Sequence, residues 1–445
     1  MKTLNPLFTK SLNGSITVPS DKSIAQRAIM LSAVASGTSF IKNFPLAGDP
    51  QSTLNVVSKL GVQVDIEKTA TGNNLTVLGK GFEGLIEPSE VLDVQNSGTG
   101  LRLMMGLLAG NPNGLFAVLT GDESLRKRPM KRVADPLRKL GAQIFGRQNG
   151  ELAPLCVQGR SLSGGSIETS VASAQLKSAL ILAGLNAQAP LTVKELETSR
   201  NHTEIMLQTF GASLEQIDSL TCRIHPSKLI GCEINIPGDF SSACFFLVAG
   251  LIVPNSKIKI ANVGLNPTRT AALEVLLSMG GKIKTIKNAS QSTNTKTEST
   301  GDLEVEFSSL KAIEIKGSII PNLIDEIPIL CLAAAQAKGT TIISDAQELR
   351  VKESDRLKAM FKLLDSLGVK VQEKPDGLII EGSDGNPFEP KGNIFEAGHD
   401  HRIAMTAGIA SLICNKPIQL NGSEWANVSF PGFFELLDKL SNETS

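Results

Sequence analysis

The stretch PSDKSIAQRAIMLSAVASG at residues 19–37 indicates a repeat protein, because the same residue pattern occurs five more times along the chain. A short polar turn leads into an apolar helix rich in small residues, then into glycine or proline, and then into a β-rich run. Repetition at a steady interval indicates an architecture built from one supersecondary unit. The turns are anchored at Lys22, Ser97, Ser173, Asp239, Asp325 and Asp400, which lie 75, 76, 66, 86 and 75 residues apart.

The repeating unit is predicted to be a mixed α/β module. Its first helix is apolar on almost every face, as in LRLMMGLLAG at 101–110, which is typical of a helix enclosed by other structure. β-Branched runs follow at 75–78, 313–315 and 378–380, and second helices are predicted at 54–60 and 357–367. Several second helices end in Leu-Gly or Met-Gly, the expected stop before a strand, at 60–61, 140–141, 279–280 and 367–368.

The repeats divide into two sets of three. Pro19-Ser20-Asp21 and Pro237-Gly238-Asp239 look equivalent and lie half a chain apart, so two similar lobes joined by two crossing strands are expected. A single elongated repeat protein without a cleft is the alternative that the repeat alone leaves open. The longest interval contains a Ser/Thr/Asn-rich stretch at 287–302, which we interpret as an inserted surface loop.

Length and composition narrow the class of protein. A chain of 445 residues is expected to form two or three domains. Lys plus Arg and Asp plus Glu both number 44, which gives no reason to expect nucleic-acid or membrane partners. The longest apolar run, at 243–253, is too short to span a bilayer and predicts a buried helix.

The cysteines and the amino terminus indicate a cytoplasmic protein. Six scattered cysteines without close spacing are typical of reduced thiols rather than of a zinc site. The amino terminus lacks a charged-then-apolar signal, and the first strand is predicted near Ile16.

The polar turns are candidate anion sites. The amino end of a helix carries unpaired N–H groups and partial positive charge, which attract phosphates and carboxylates. Helix capping alone would explain any single turn. The cations, however, gather at these turns or at the strand ends beside them, namely at Lys22, Arg27, Arg102, Arg126 to Arg128, Arg200, Arg350 to Arg356 and Arg402.

Two sequence motifs that often mark binding sites do not predict one in this chain. The segment 79–84 matches GxGxxG, but no apolar helix follows it, so a turn is predicted rather than a dinucleotide site. His399, Asp400 and His401 alternate on a turn without a third clustered ligand, so no metal site is expected there.

Ten collinear blocks give the chain a specific resemblance. They resemble, in order, the signature blocks of the 5-enolpyruvylshikimate-3-phosphate synthase family. They are PSDKSIAQRA (19–28), LDVQNSGTGLRL (92–103), LTGDESLRKRPM (119–130), SVASAQLKSALILAGL (170–185), SRNHTEIML (199–207), IPGDFSSACFF (236–246), NPTRT (266–270), LIDEIPIL (323–330), ELRVKESDRL (348–357) and HDHRIAM (399–405).

The resemblance implies a fold and a reaction. The implied fold is α/β, a two-lobed inside-out barrel in which each lobe has three βαβαββ repeats with buried helices and outer sheets. One lobe would be 21–238, which binds shikimate 3-phosphate, and the other 1–20 with 239–445, which carries the catalytic carboxylates; the substrate cleft would lie between them. The implied reaction moves the enolpyruvyl group of phosphoenolpyruvate to the 5-hydroxyl of shikimate 3-phosphate and needs no cofactor.

The resemblance implies roles only for residues at positions that match the family's signature blocks. The resemblance implies that the phosphoenolpyruvate methylene is protonated, that the 5-hydroxyl attacks its C2, and that phosphate then leaves. Asp325 would be the base for the hydroxyl, Glu353 would move the methylene proton, and Lys22 would assist. Shikimate 3-phosphate would be bound by Lys22, Ser23, Arg27, Ser173, Ala174, Gln175, Arg200, Asp325 and Lys352. Phosphoenolpyruvate would be bound by Lys22, Asn96, Gly98, Thr99, Arg128, Gln175, Arg356 and Arg402.

The chain departs from the family pattern at a few positions. Ser20 stands where glycine is usual, Ala25-Gln26 where Ser-His is usual, and Val428 where some members have lysine. Arg200 stands where others stack an aromatic ring. These changes resemble a branch with low sensitivity to glyphosate, the inhibitor that occupies the phosphoenolpyruvate site. Less sensitive relatives carry alanine at the position of Gly98, however, so the glycine here favours inhibition.

Two other functions are weighed against this one. The UDP-N-acetylglucosamine enolpyruvyl transferase shares fold and donor, but it has a reactive cysteine in the loop corresponding to 120–129, and this loop has none. A non-catalytic ligand-binding repeat protein would not need carboxylates and arginines at the matching positions. The expected partners are therefore the two small-molecule substrates, and a monomer is the expected state.

Overall fold

The computed structural model describes residues 1–4, 11–45, 47–69, 72–288, 297–392 and 394–442. The chain divides into two compact units. One comprises Met1–Pro19, Gly238–Ala289 and Ser299–Ser445, and the other comprises Ser20–Pro237 and Ser290–Glu298. We call them the carboxylate unit and the lysine unit, after Asp325 and Lys22 respectively.

The lysine unit contains the first three repeats. Its helices are Lys22–Val34, Gly48–Lys59, Gly98–Ala109, Lys131–Lys139, Ala174–Gly184 and His202–Thr209, with short turns at Leu125–Lys127 and Arg147–Gly150. Its strands are Ala35–Phe44, Gln63–Lys68, Asn73–Lys80, Leu92–Asp93, Phe116–Thr120, Gln143–Gly146, Leu152–Gln158, Gly165–Glu168, Leu191–Lys194, Leu214–Gln216, Thr221–Ile224, Leu229–Ile230 and Glu233–Asn235.

The carboxylate unit contains the last three repeats. Its helices are Phe240–Ile252, Ala271–Ser278, Ile320–Leu323, Ile327–Gln336, Arg356–Ser366, His401–Ser411 and Phe433–Asn442, with 3₁₀ turns at Gly317–Ile319, Gln347–Val351 and Ser423–Val428. Its strands are Lys2–Leu4, Asn13–Thr17, Lys257–Gly264, Lys282–Lys287, Thr300–Glu306, Glu314–Ile315, Thr340–Ile343, Lys370–Lys374, Gly377–Glu381, Ile394–Glu396 and Ile418–Asn421.

Within the described chain, six small sheets form, one for each repeat. In the repeat around Ser97, Leu92–Asp93 pairs parallel with Phe116–Thr120, which pairs antiparallel with Leu152–Gln158. The third strand, Gln143–Gly146, pairs antiparallel with the fourth. This is the βαβαββ order, with the helix between the two parallel strands as the crossover.

Two repeats of the carboxylate unit include a strand from the amino-terminal segment of the chain. Asn13–Thr17 opens the fourth repeat by pairing parallel with Lys257–Gly264. Lys2–Leu4 completes the sixth by pairing with Ile418–Asn421. The expectation that strands begin near Ile16 was therefore wrong: Lys2–Leu4, at three residues, is too short to show a periodic pattern.

Each unit has its own hydrophobic core, built around the first helix of each repeat. All residues of Phe240–Ile252, Ile327–Gln336 and His401–Ser411 are buried, as predicted for the run at 243–253. In the lysine unit a Cβ added at Gly106 would lie 2.1 Å from the Ala179 carbonyl oxygen, so glycine there permits close helix packing. With helices inside and sheets outside in each unit, the predicted fold class is confirmed.

Several local predictions are confirmed as well. The four predicted helix stops have glycine in the left-handed region, with φ of +84°, +97°, +91° and +83° at Gly61, Gly141, Gly280 and Gly368. The segment 79–84 ends a strand and forms a turn. Half of the inserted loop predicted at 287–302 lies outside the described residues. At its ends, Lys287 belongs to the strand Lys282–Lys287 and residues 300–302 to the strand Thr300–Glu306, so the predicted loop was too long.

No single helix of the described chain is long and apolar enough to cross a membrane, and only the bent pair Gly317–Leu323 with Ile327–Gln336 passes that test jointly. All six cysteines are free. Burial raises the pKa of the Cys222, Cys331 and Cys414 thiols to about 12 and that of Cys232 to about 11.

Candidate active site

The polar turns cap the central helices of both units. In the lysine unit the Asp21 carboxylate accepts from the backbone N–H groups of Ser23 and Ile24, and Ser97 and Ser173 cap the next two central helices. In the carboxylate unit Asp239 and Asp400 act in the same way. The residue types of the repeat therefore fix where these five helices begin. The helix Ile327–Gln336, which follows Asp325, has no side-chain cap at its N-cap residue Glu326.

Lys22, Ser23 and Arg27 lie together at the start of the helix Lys22–Val34. The Lys22 ammonium pairs with Asp49 at 3.0 Å. The Arg27 guanidinium is buried and donates to the Ser23 carbonyl at 2.9 Å, to Thr203 Oγ1 at 2.7 Å and to Ser178 Oγ at 3.0 Å. Burial lowers the pKa of Arg27 to about 10, against the opposing charges of Glu204 and Asp21, so it stays protonated near neutral pH.

Gln26, which sequence reasoning treated only as a departure, joins two repeats. Its amide nitrogen donates to Thr53 Oγ1 at 2.9 Å and to Ser97 Oγ at 2.6 Å. Gln175 then joins the second repeat to the third, because its amide nitrogen donates to Thr99 Oγ1 at 2.8 Å. The predicted residues of the three repeats are thus brought together in one hydrogen-bonded ring of helix ends.

Two buried arginines face the backbone at Gly98. Arg128 donates to Asn96 Oδ1 at 3.2 Å, and Arg102 donates to Gln175 Oε1 at 2.6 Å and to the Pro129 carbonyl at 3.0 Å. A Cβ added at Gly98 would lie 2.9 Å from Arg128 Nη1 and 3.1 Å from Arg102 Nη1. The glycine therefore allows two guanidinium groups to approach the amino end of its helix, which is a favourable arrangement for an anion.

The third repeat contributes the end of the helix Ala174–Gly184 and a loop. Ser173 caps that helix through Leu176 N–H, and Ser173, Ala174 and Gln175 are all partly exposed. Arg200 lies in the loop just before the helix His202–Thr209 and is also partly exposed.

Arg356 is the centre of the predicted group in the carboxylate unit. Its side chain is 1% exposed and contacts three carboxylates. Its Nε lies 2.8 Å from Asp400 Oδ2, its Nη2 lies 2.7 Å from Glu353 Oε2, and its Nη1 lies 3.5 Å from Asp325 Oδ1. Although burial opposes the charge, the carboxylates of Asp400 and Glu353 raise the pKa of Arg356 above its ordinary value.

The two predicted proton-transfer residues are the exposed members of this group. The side chains of Asp325 and Glu353 are 19% and 18% exposed, whereas Asp400 is fully buried. Despite its burial, the Arg356 charge lowers the pKa of Asp400. Glu353 is not on the helix of Arg356, because that helix begins only at Arg356 and Glu353 lies in the preceding bend. Their side chains are paired nevertheless.

Arg402 lies beside the same group. Its Nε is 3.9 Å from Asp325 Oδ1, and its Nη2 donates to Ser241 Oγ at 3.3 Å. Ser241 in turn bonds to Glu326, which pairs with Arg269 at 2.8 Å.

Sequence reasoning missed this supporting layer of Arg269, Glu326, Ser241 and Asp400 as functional side chains. Arg269, Glu326, Ser241 and Asp400 each stand inside a signature block, and that position was a signal available for them.

Lys352 completes the predicted set. Burial lowers the pKa of Lys352, although Asp325 and Glu353 oppose the shift. Arg350, grouped by sequence with the candidate anion-binding cations, instead anchors this segment. Its guanidinium donates to Glu373 at 2.9 Å and to the Lys374 and Pro375 carbonyls.

Within the part of the chain that the structure describes, no group of three or more His, Cys, Asp or Glu side chains is arranged to hold a metal ion. His399 stacks on Trp425 at 4.6 Å between ring centroids, and His401 is buried at the start of its helix.

Comparisons with known proteins identify the family of the chain. The sequence profile of EPSP synthase (3-phosphoshikimate 1-carboxyvinyltransferase) matches residues 8–437. The 3-phosphoshikimate 1-carboxyvinyltransferase of Bacillus cytotoxicus is 48% identical over 97% of this chain and 98% of its own. That of Petrotoga mobilis is 47% identical over 97% of this chain and 98% of its own.

Solved structures are similar too. The EPSP synthase of Acinetobacter baumannii has a TM-score of 0.84 and 38% identity, and the match covers 99% of this chain and 98% of that one. The enolpyruvyl transferase NikO of Streptomyces tendae, with a TM-score of 0.77 and 17% identity over 98% of this chain and 96% of its own, shows the likeness of fold alone.

The family transfers the enolpyruvyl group of phosphoenolpyruvate to the 5-hydroxyl of shikimate 3-phosphate and releases phosphate, a step of aromatic amino acid biosynthesis. With a profile match over nearly its whole length and relatives at 48% and 47% identity, the chain belongs to the EPSP synthase (3-phosphoshikimate 1-carboxyvinyltransferase) family and is an enolpyruvyl transferase.

Proposed function

We propose that Asp325 and Glu353 are the proton-transfer residues of this enolpyruvyl transfer. The observation that carries the proposal is that these two partly exposed carboxylates share one buried arginine, Arg356, at 3.5 Å and 2.7 Å. A carboxylate that keeps access to solvent while an arginine fixes its orientation suits general acid–base catalysis. The fully buried Asp400 is enclosed and serves to hold Arg356.

The proposed chemistry has two steps. First, Glu353 delivers a proton to the methylene carbon of phosphoenolpyruvate, Asp325 accepts the proton of the 5-hydroxyl, and that oxygen bonds to C2. The product is a tetrahedral ketal that still carries phosphate. Second, the C2–O bond to phosphate breaks while the proton held by Asp325 passes to the departing phosphate, and the new methyl group returns a proton to Glu353. Lys22 is proposed to assist by stabilising the charge of the departing phosphate.

Phosphoenolpyruvate is proposed to bind through arginines and one helix end. Arg128, Arg356 and Arg402 pair with its carboxylate and phosphate, because a guanidinium fork matches two oxygens at once. The remaining proposed contacts are Lys22, Asn96, Gly98, Thr99 and Gln175. The close approach of Arg128 Nη1 to the Gly98 position supports this proposal.

Shikimate 3-phosphate is proposed to bind mainly in the lysine unit. Burial disfavours the charged form of Arg27. A phosphate anion that binds beside this guanidinium would therefore stabilise its charge. The full set of proposed contacts is Lys22, Ser23, Arg27, Ser173, Ala174, Gln175, Arg200, Asp325 and Lys352.

A phosphate-release assay tests the acceptor. The purified chain is mixed with phosphoenolpyruvate and one of three additions: shikimate 3-phosphate, UDP-N-acetylglucosamine or buffer. Phosphate should appear only with shikimate 3-phosphate. Release with the nucleotide sugar, or equal release without an acceptor, would overturn the proposal.

The physical state is part of the same proposal. We propose a cytoplasmic monomer that acts on small molecules without nucleic-acid or membrane partners, since its formal charge is balanced and its cysteines are free. Light scattering coupled to gel filtration should give the mass of one chain, 47.2 kDa. A mass of two chains would contradict the monomer.

A further inference from the structure

A buried ion-paired cluster lies behind the loop that carries Arg200. Lys177, on the helix Ala174–Gly184, extends its ammonium to Glu195 Oε2 and Glu204 Oε1, each at 2.7 Å. The side chains are 4% exposed for Lys177 and Glu195 and 7% exposed for Glu204. The mechanism above uses none of these three groups.

The two carboxylates stand at opposite ends of the segment 195–204. Glu195 directly follows the strand Leu191–Lys194, and Glu204 is in the first turn of the helix His202–Thr209. The Lys177 ammonium therefore holds both the residue that follows the strand and the first turn of the helix.

The same ammonium also holds the middle of the segment. The Ser199 carbonyl accepts from Lys177 Nζ at 3.3 Å, and the Ser199 hydroxyl donates to Glu195 Oε1. A lysine ammonium has three N–H donors, and three acceptors on this segment meet it. Because Ser199 immediately precedes Arg200, the cluster fixes the backbone from which Arg200 extends.

The charge of the cluster favours a conformational role. Burial lowers the pKa of Lys177, but the charges of Glu204 and Glu195 outweigh it, and the pKa is raised overall. The ammonium therefore stays charged. A buried ion pair gives little net stability over apolar side chains of similar volume, whereas its geometry selects one arrangement of the chain.

We propose that Lys177, Glu195 and Glu204 are positioning residues for the shikimate 3-phosphate site, and that they fix the segment 195–204 so that Arg200 is presented to the anionic substrate. The inference rests on the role proposed above for Arg200. It adds three residues that the resemblance did not assign to any role.

The main variant neutralises the whole cluster. Lys177→Met alone would leave two buried carboxylates without their cation and could prevent folding. The combined variant Lys177→Met/Glu195→Gln/Glu204→Gln removes all three charges at nearly constant volume. Its Kd for shikimate 3-phosphate, measured by calorimetry without phosphoenolpyruvate, should rise by about tenfold, within the range of coupled neighbouring residues. An unchanged Kd would overturn the proposal.

A matched control separates positioning from stability. Ile144→Ala removes a buried side chain from the edge strand Gln143–Gly146 of the same unit. Both variants should melt at lower temperature, but only the neutralised cluster should weaken substrate binding. If Ile144→Ala weakens binding equally, the effect is loss of stability and the proposal fails.

A double-mutant cycle tests whether the cluster acts through Arg200. Arg200→Ala should weaken shikimate 3-phosphate binding by itself, and adding the neutralised cluster should then change Kd by less than about twofold. A full additional effect would overturn the positioning role. If Arg200→Ala has no effect, the role proposed for Arg200 fails instead, and the inference falls with it.

If the cluster variant does not fold, a milder variant tests the same proposal. Ser199→Ala removes one hydroxyl and its bond to Glu195 while keeping all charges. It should weaken shikimate 3-phosphate binding by about two- to fivefold, as the loss of one hydrogen bond would. An unchanged Kd for this variant would also count against the proposal.

Discussion

Arg27 and Arg356 occupy comparable places in the two units but have opposite surroundings. Both are buried near the amino end of a helix. Arg27 donates to two hydroxyls and a carbonyl, and burial lowers its pKa to about 10. Arg356 contacts the carboxylates of Asp325, Glu353 and Asp400, and its pKa is raised.

The difference separates two tasks. A buried cation with neutral hydrogen-bond partners gains strongly from an incoming anion, which suits substrate binding. A buried cation that already holds carboxylates gains less from a further anion, but it keeps those carboxylates oriented, which suits proton transfer. On the roles proposed above, the same repeat would serve binding around Arg27 and chemistry around Arg356.

The largest effect is expected at Asp325. Asp325→Asn keeps the shape but removes the base, so turnover should fall by about 10²–10⁴-fold while shikimate 3-phosphate still binds. Steady-state kinetics measures the turnover, and calorimetry measures the binding of shikimate 3-phosphate. Asp365→Asn, which alters a surface ion pair with Lys391, is the matched control and should leave turnover unchanged. Full turnover in Asp325→Asn would contradict the role of Asp325 as the base.

The second test compares the stability that each arginine contributes. Arg356→Met leaves three carboxylates without their shared cation and should cost about 3–5 kcal/mol. Arg27→Met loses hydrogen bonds to neutral groups, and Ser178 and Thr203 still bond to each other at 2.7 Å, so it should cost about 1 kcal/mol. Scanning calorimetry of both variants gives the comparison. Equal losses would show that the two surroundings do not differ in the way we infer.

The third test concerns Gly98 in the lysine unit. A Cβ there would lie 2.9 Å from Arg128 Nη1, so Gly98→Ala should displace the guanidinium by a few tenths of an ångström. The methyl group shortens the pocket, and glyphosate is longer than phosphoenolpyruvate. Its inhibition constant should therefore rise by a larger factor than the KM for phosphoenolpyruvate.

The control for that test is Gly392→Ala, where a Cβ meets open space. Inhibition constants are compared at equal substrate saturation. Equal factors for inhibitor and substrate, or a parent enzyme that glyphosate does not inhibit, would contradict the steric argument.

The sequence predicted the repeats well because caps and helix stops are local. Asp21, Ser97 and Ser173 start helices through bonds to neighbouring N–H groups, and Leu-Gly pairs end them. The signature blocks also selected Arg356 and its two exposed carboxylates.

What the sequence did not show depends on contacts between distant segments. Arg356 pairs with Asp400, 44 residues away in the next repeat, and Lys177 pairs with Glu195 and Glu204 on other elements of its own repeat. The bend that places Glu353 against Arg356 was not predicted either, because it lies outside the helix Arg356–Ser366 and has no local pattern. Neither feature has a fixed spacing that a single sequence could reveal.

The smallest effect is expected from the ionisation of Lys352 in the carboxylate unit. Burial lowers the pKa of this lysine. Above that lowered pKa the folded chain loses a charge that the unfolded chain retains up to about 10.4. Because the unfolded state then binds more protons, stability from this group rises with pH, whereas binding of an anionic substrate falls. The alkaline limb of kcat/KM for shikimate 3-phosphate should therefore begin below the pKa of an ordinary lysine. Lys352→Arg should move that limb to higher pH, and the surface variant Lys370→Arg should not; an unmoved limb in Lys352→Arg would assign it to another group.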